Sequence, residues 1–125
     1  MKILVVDDEK DVESLFNQKF RRELSENLID FHFAFSSEEA MEYMNTNSSD
    51  VVLILSDINM PGMNGLELLK ILKEKYPLMA VFMVTAYDDD EKHRKAMEYG
   101  ADKYLTKPIE FPKLKNEIFS IKLME

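Results

Sequence analysis

Hydrophobic and polar positions along the chain follow two alternating periods. Five short runs are mostly apolar: Ile3 to Val6 ("ILVV"), Asp30 to Phe35 ("DFHFAF"), Val51 to Ser56 ("VVLILS"), Ala80 to Thr85 ("AVFMVT") and Lys103 to Thr106 ("KYLT"). Their length and β-branched content predict strands, and the first is apolar enough to be buried on both faces. Between them the apolar spacing lengthens to three and four residues. Val12, Leu15, Phe16, Phe20 and Leu24 form one helical stripe. Ser36 and Glu39 make an S-x-x-E capping box ahead of a second helix with Ala40, Met41 and Met44 inward. Asn64 caps a third helix through Leu66, Leu69 and Leu72 that ends before Pro77. Asp88 to Asp90 start a fourth that stops at Gly100, and Pro112 opens a fifth with Leu114, Ile118 and Ile121.

Strict alternation of strand and helix predicts an α/β fold. Parallel strands need crossovers, each crossover is right-handed, and helices therefore cover both faces of one sheet. With 125 residues and no linker, repeat or low-complexity tract, the chain reads as one domain. In open sheets of this kind ligands bind beyond the carboxyl ends of the strands, where the strand order reverses.

That rule directs attention to the residues just beyond each strand. The first run stops abruptly at Asp7 and Asp8, the third at Asp57, the fourth at Thr85, and the fifth at Thr106 and Lys107. The second ends in Phe35 and Ser36 and is expected to lie outside the site. Each residue has an ordinary explanation when taken singly: acids cap helix starts, Asp57 suits a turn, and Lys107 suits a solvated surface. Together they are costly, because two carboxylates ~4 Å apart repel by roughly 4 kcal/mol at an effective dielectric of 20. Either one acid takes up a proton or a cation binds.

An all-oxygen donor set without a single cysteine favours a hard ion, and Mg²⁺ is the usual small one. With an ammonium nearby, the constellation suggests phosphoryl transfer with Asp57 as nucleophile, Lys107 stabilising charge and Thr85 donating a hydrogen bond. The chain holds three glycines, Gly62, Gly65 and Gly100, so it contains neither a G-x-x-x-x-G-K-[ST] loop nor a G-x-G-x-x-G turn, which disfavours nucleotide binding.

Composition narrows the classes further. Hydrophobic residues are 46% and charged residues 32% of the chain, and no apolar stretch approaches a membrane span. The first residues read as a strand rather than a signal peptide. The absence of cysteine fits a reducing compartment, so a cytoplasmic location is expected. A formal charge of −8 repels phosphate backbones and favours cations and basic partner surfaces, so this domain is not expected to bind nucleic acid directly.

The segments "VVDDE", "SDINMPGMNG", "VTAY" and "YLTKP", in this order and at this spacing, resemble the receiver domain of two-component response regulators, and the resemblance covers essentially residues 1–125. It implies a flavodoxin-like (βα)5 doubly wound, five-stranded parallel sheet in the order 2-1-3-4-5. It also implies a phosphorylation-activated switch that accepts a phosphoryl group on Asp57 from a histidine kinase or phosphotransfer protein. Asp8, Asp57 and the backbone carbonyl of Asn59 would ligate Mg²⁺, with Asp7 helping through water. Thr85 would be the switch hydroxyl, Tyr104 the switch aromatic, and Lys107 the holder of the phosphoryl group, with a cis bond between Lys107 and Pro108. Asn59 and Tyr87 would tune the lifetime of the acyl phosphate. Output is expected through the face of the fourth helix, fifth strand and fifth helix, to a separate partner or an attached effector domain. The resemblance leaves open a phosphorylation-dependent homodimer.

Two other readings compete. Haloacid-dehalogenase-type phosphatases also use an aspartyl nucleophile with Mg²⁺, but they need a second acid two residues on, where this chain has Asn59, and usually a cap insertion. A chemically silent receiver-like module typically lacks the acceptor or the lysine, and this chain keeps both. The expectation is therefore no activity on an outside substrate beyond the chain's own phosphorylation and dephosphorylation. Of the remaining features, Asn64-Gly65 reads as a helix start rather than a hairpin. Met60 and Met63 read as packing, and Lys92 to Lys95 ("KHRK") as a solvated helix face. His32 and His93 receive no role.

Overall fold

The structure, a computed structural model, describes residues 1–87 and 89–124, the side chains of 122–124 excepted. Among the described residues the strands are β1 (Lys2–Val6), β2 (Asp30–Ala34), β3 (Val51–Asp57), β4 (Ala80–Thr85) and β5 (Lys103–Thr106). All pair in parallel, in the order β2-β1-β3-β4-β5. The crossovers carry α1 (Asp11–Lys19) and α2 (Arg21–Ser25), then α3 (Ser37–Asn47), α4 (Gly65–Lys75) and α5 (Asp90–Glu98), with α6 (Phe111–Met124) following β5. This is the flavodoxin-like arrangement.

Strand periodicity divides the interior into two cores. Ile3 and Val5 of β1, with Leu53 and Leu55 of β3, face Phe16, Phe20, Leu114 and Ile118. Leu4, Val6 and Ile54 face the other way, against Ala40 and Met44 of α3, Leu68, Leu69 and Leu72 of α4, and Ala96 of α5. Each central strand is thus covered on both sides, which is why its sequence shows no polar alternation.

The first helical stripe is not one helix. Phe20 leaves helical torsions (φ −108°, ψ 21°) and separates α1 from α2. It is fully buried, stacked on Phe16 at 5.8 Å and edge-on to Phe31 at 5.1 Å and Phe111 at 6.0 Å. Aromatic packing against the sheet outweighs the helical torsions here, while the bonds from Phe20 N–H to Phe16 and Leu24 N–H to Phe20 keep the segment connected. Leu15 departs from the inward stripe as well: it is 40% exposed because no described element covers that side of α1.

The predicted caps are in place. Ser36 accepts from Glu39 N–H and Asn64 from Glu67 N–H, so Asn64-Gly65 does begin a helix. Asp89 accepts from the N–H groups of Glu91 and Lys92 at the head of α5, while Asp88 lies outside the described residues. Gly100, at φ +98°, ends that helix in a conformation that side-chain-bearing residues rarely adopt. β2 stops at Ala34, one residue before the expected Phe35, and β3 runs one residue further than expected, to Asp57. Among the described residues no helix is long and apolar enough to cross a membrane.

Candidate functional site

The register of the sheet assembles the site. Val6 of β1 pairs with Ser56 of β3, so the next residues along, Asp7 and Asp57, stand side by side at the carboxyl rim. Asp7 and Asp57 are 5% and 6% exposed, whereas Asp8 points to solvent. One carboxylate oxygen from each of the three lies within 4.8 Å of the others. Lys107, brought to the rim by the bond from its N–H to the Thr85 carbonyl at the end of β4, places Nζ 3.1 Å from Asp7 Oδ2 and 3.8 Å from Asp57 Oδ1. The Lys107–Pro108 peptide bond is cis.

This crowding changes the chemistry of Asp57. Burial of its carboxyl, reinforced by the neighbouring Asp7 charge, pushes its pKa from 3.8 up to about 6, against the opposing pull of Lys107 and of the Ile58 N–H. The ammonium of Lys107 is held above its ordinary range: burial works to lower it, and the carboxylates of Asp7 and Asp57 more than compensate. Three hard oxygen donors, one of them on Asp57 with its raised pKa, make a site that a divalent cation would complete, the chemistry expected for Mg²⁺-type ions rather than softer metals.

Strand alternation places Thr85 on the opposite face of the sheet from Asp7 and Asp57, towards α5. Its hydroxyl, fully buried, accepts from the Asn59 side-chain amide at 3.2 Å and donates to the Tyr87 carbonyl at 3.2 Å, and Tyr87 N–H returns a bond to the same oxygen. The Tyr87 ring itself is 68% exposed. Tyr104 pairs with Met83 across β4 and β5 and packs on the same face as Thr85.

A sequence profile described as "Response regulator receiver domain" matches residues 3–119. The chain belongs to the response regulator receiver family. Over 118 residues the receiver is 35% identical to a cyclic di-GMP phosphodiesterase of Thermotoga maritima, a match covering 94% of this chain and 30% of that protein. It is 35% identical over 108 residues to the DNA-binding transcriptional regulator NtrC of Proteus hauseri, covering 86% of this chain and 22% of that one. The chain therefore spans less than a third of the length of these curated relatives. Among solved structures, the receiver domain of the Francisella response regulator 1452 superposes with a TM-score of 0.84 at 34% identity, covering 99% of this chain and 98% of that one.

Three residues make contacts in the receiver, at or near the rim, that were not legible in the sequence. A Cβ built on Gly65 would collide with the Asp57 carbonyl oxygen and lie 2.8 Å from Ile58 Cα, so α4 starts directly against the backbone of the strand end. Gly65 N–H also donates to the Ile58 carbonyl at 2.8 Å. Lys92 does not merely solvate the face of α5: its Nζ donates to the Asn59 amide oxygen at 3.0 Å. The His93 ring lies parallel to that of Tyr104, with centroids 4.2 Å apart and planes 3° from parallel. Met60, by contrast, is buried packing, as expected of a methionine beside a turn.

An apolar groove of about 580 Å³ opens beside the acids, lined by Val12, Leu15 and Phe16 of α1 and by Pro108, Ile109 and Phe111 after β5. The exposure of Leu15 results from this groove.

Proposed function

We propose that this chain is a phosphorylation-activated switch in a two-component pathway, with Asp57 as the acceptor. The observation that carries this reading is the meeting of Asp7, Asp8 and Asp57 at one rim with the Lys107 ammonium facing them. A carboxylate oxygen of Asp57 attacks phosphorus in the phosphohistidine of a histidine kinase or phosphotransfer protein. The new P–O bond forms as the P–N bond breaks, and the imidazole leaves. Asp8, Asp57 and the Asn59 carbonyl would hold Mg²⁺, with Asp7 contributing through water; bound there, the ion neutralises charge on the phosphoryl oxygens. Lys107 holds an oxygen of the transferred group, and Thr85 turns its hydroxyl towards another.

The groove between α1 and the segment after β5 is where the phosphodonor docks, since it opens directly onto Asp57. Loss of the Thr85 contacts to Asn59 and Tyr87 then lets Tyr104 move, altering the face of α5, β5 and α6 that reads out to a partner or an attached effector domain. Asn59 and Tyr87 set how readily water reaches the acyl phosphate. Residues 1–125 act as one receiver unit, working in the cytoplasm without nucleic-acid contacts of its own.

The test is labelling with a small acyl phosphate. Wild-type protein with Mg²⁺ should take up one phosphoryl group per chain, and Asp57→Asn none. Label retained in Asp57→Asn would place the acceptor elsewhere, and steady release of phosphate from added phosphomonoesters would favour a phosphatase instead.

A further inference from the structure

Lys92 stands in the first turn of α5, where a cation opposes the helix dipole. Its partner is neither of the adjacent acids Asp90 and Glu91 but the Asn59 side chain, 33 residues away in sequence. A lysine only donates hydrogen bonds, so its contact fixes which end of the amide faces it: Oδ1 meets Nζ, and Nδ2 is turned towards Thr85. The hydroxyl of Thr85, having accepted that bond, spends its own proton on the Tyr87 carbonyl. The charge on Lys92 also polarises the amide and strengthens its N–H as a donor.

We propose that Lys92 is a positioning residue that latches the switch hydroxyl in its resting orientation through Asn59. The inference rests on the reading of Thr85 as the hydroxyl that must turn towards a phosphoryl group on Asp57. Turning requires Thr85 to give up Asn59 and Tyr87 together, and Lys92 sets how firmly the first of these is held. Lys92 belongs to the helix that carries His93, so the latch also ties α5 to the rim.

Two measurements on the intact chain test this. In the unphosphorylated protein, the Tyr87 backbone amide donates to Thr85 Oγ1, so it reports on the relay from its far end. Its resonance in a ¹⁵N–¹H correlation spectrum should shift in Lys92→Met, and the same substitution in an Asn59→Ala background should leave it where Asn59→Ala alone puts it. In Mg²⁺ and acetyl phosphate, Lys92→Met should be labelled about three- to tenfold faster than wild type, the range expected if the neutral bond from Asn59 to Thr85 is loosened or lost. That acceleration should vanish when Asn59 is already alanine. An unmoved Tyr87 amide, slower or unchanged labelling, or an equal acceleration in both backgrounds would overturn the latch. If wild type and Lys92→Met alike take no label, the acceptor reading fails, while the Tyr87 resonance still decides the relay.

Discussion

Asp57→Asn should make the unphosphorylated protein more stable, and the gain should depend on pH in a defined way. In the folded chain the pKa of Asp57 is raised from 3.8 to about 6, chiefly by burial and then by Asp7. A raised carboxyl pKa means that the folded state holds the proton more tightly than the unfolded chain. Stability is therefore fully present below about pH 3.8, falls as pH rises through the interval up to about 6, and levels off above it. The whole interval corresponds to about 2–3 kcal/mol at neutral pH. Asparagine keeps the shape of the side chain without the charge. Nor does it strand Lys107, whose shorter contact is to Asp7 at 3.1 Å rather than to Asp57 at 3.8 Å.

Urea unfolding of both proteins in a chelator, at pH 4 and pH 7.5, checks this. At pH 7.5 the midpoint of Asp57→Asn should lie higher by about 1 M or more, given a slope of ~1–3 kcal/mol/M for a small domain. At pH 4 the two midpoints should nearly coincide. Adding Mg²⁺ at pH 7.5 should stabilise the wild type by mass action and narrow the gap. Equal midpoints at pH 7.5, or a gap of the same size at both pH values, would refute the reasoning, because the cost would then not be that of an ionised carboxyl at the rim.

Two further substitutions probe the frame around that carboxyl. Gly65→Ala pushes a methyl group into the Asp57 carbonyl and should cost about 1–3 kcal/mol, measured by the same urea titration; an unchanged midpoint would mean that α4 is free to retreat from the strand end. Tyr87→Ala should shorten the lifetime of the phosphorylated protein in Mg²⁺, measured as loss of label after the donor is removed; an unchanged decay would show that the exposed ring gives no shielding.

The polarity of a parallel sheet made much of the site readable in the sequence. Strands buried on both faces show as unbroken apolar runs, and where such a run ends in Asp the rim is marked directly, as at Asp7 and Asp57; Lys107 follows the short edge strand β5 and was placed by its position after that strand. Caps are local, so Ser36 and Asn64 were readable from a few neighbouring residues. The break at Phe20 was not, because its cause is a ring cluster drawn from α1, β2 and α6 rather than any residue beside it. Leu15 has the spacing of a core residue, and only the absence of a covering element among the described residues exposes it. Lys92 and His93 look like members of a charged run; their partners Asn59 and Tyr104 come from other elements, and only the packed fold brings them together. Gly65 carried a faint signal, a glycine at the first position of a helix where almost any residue is tolerated, but the backbone it approaches is remote in local pattern.

The two sides of the rim explain how a local reaction could reach a distant surface. Alternation in β1 and β3 sends Asp7 and Asp57 to the side of α1 and α6, whereas Thr85 and Tyr104 face α5. On the proposed reading, a phosphoryl group on Asp57 would thus be met by a hydroxyl that belongs to the other core. Moving a two-state equilibrium from 1:99 to 99:1 takes about 5.5 kcal/mol, and charge-assisted hydrogen bonds contribute roughly 1.5–3 kcal/mol each. Two or three new ones, from Thr85, Lys107 and nearby backbone, would supply about 3–9 kcal/mol, so what is lost in breaking the resting contacts to Asn59 and Tyr87 decides whether the figure is reached. Thr85 is fully buried, and a close-packed interior does not let one side chain turn while its neighbours stay still. The parallel stack of Tyr104 on His93 lies in the same layer, so the hydroxyl's turn must be accommodated there, at the surface of α5. On the proposed reading, the strength of the resting bonds and the packing of that ring pair would jointly set how much of the phosphorylation energy appears as a change in the output face.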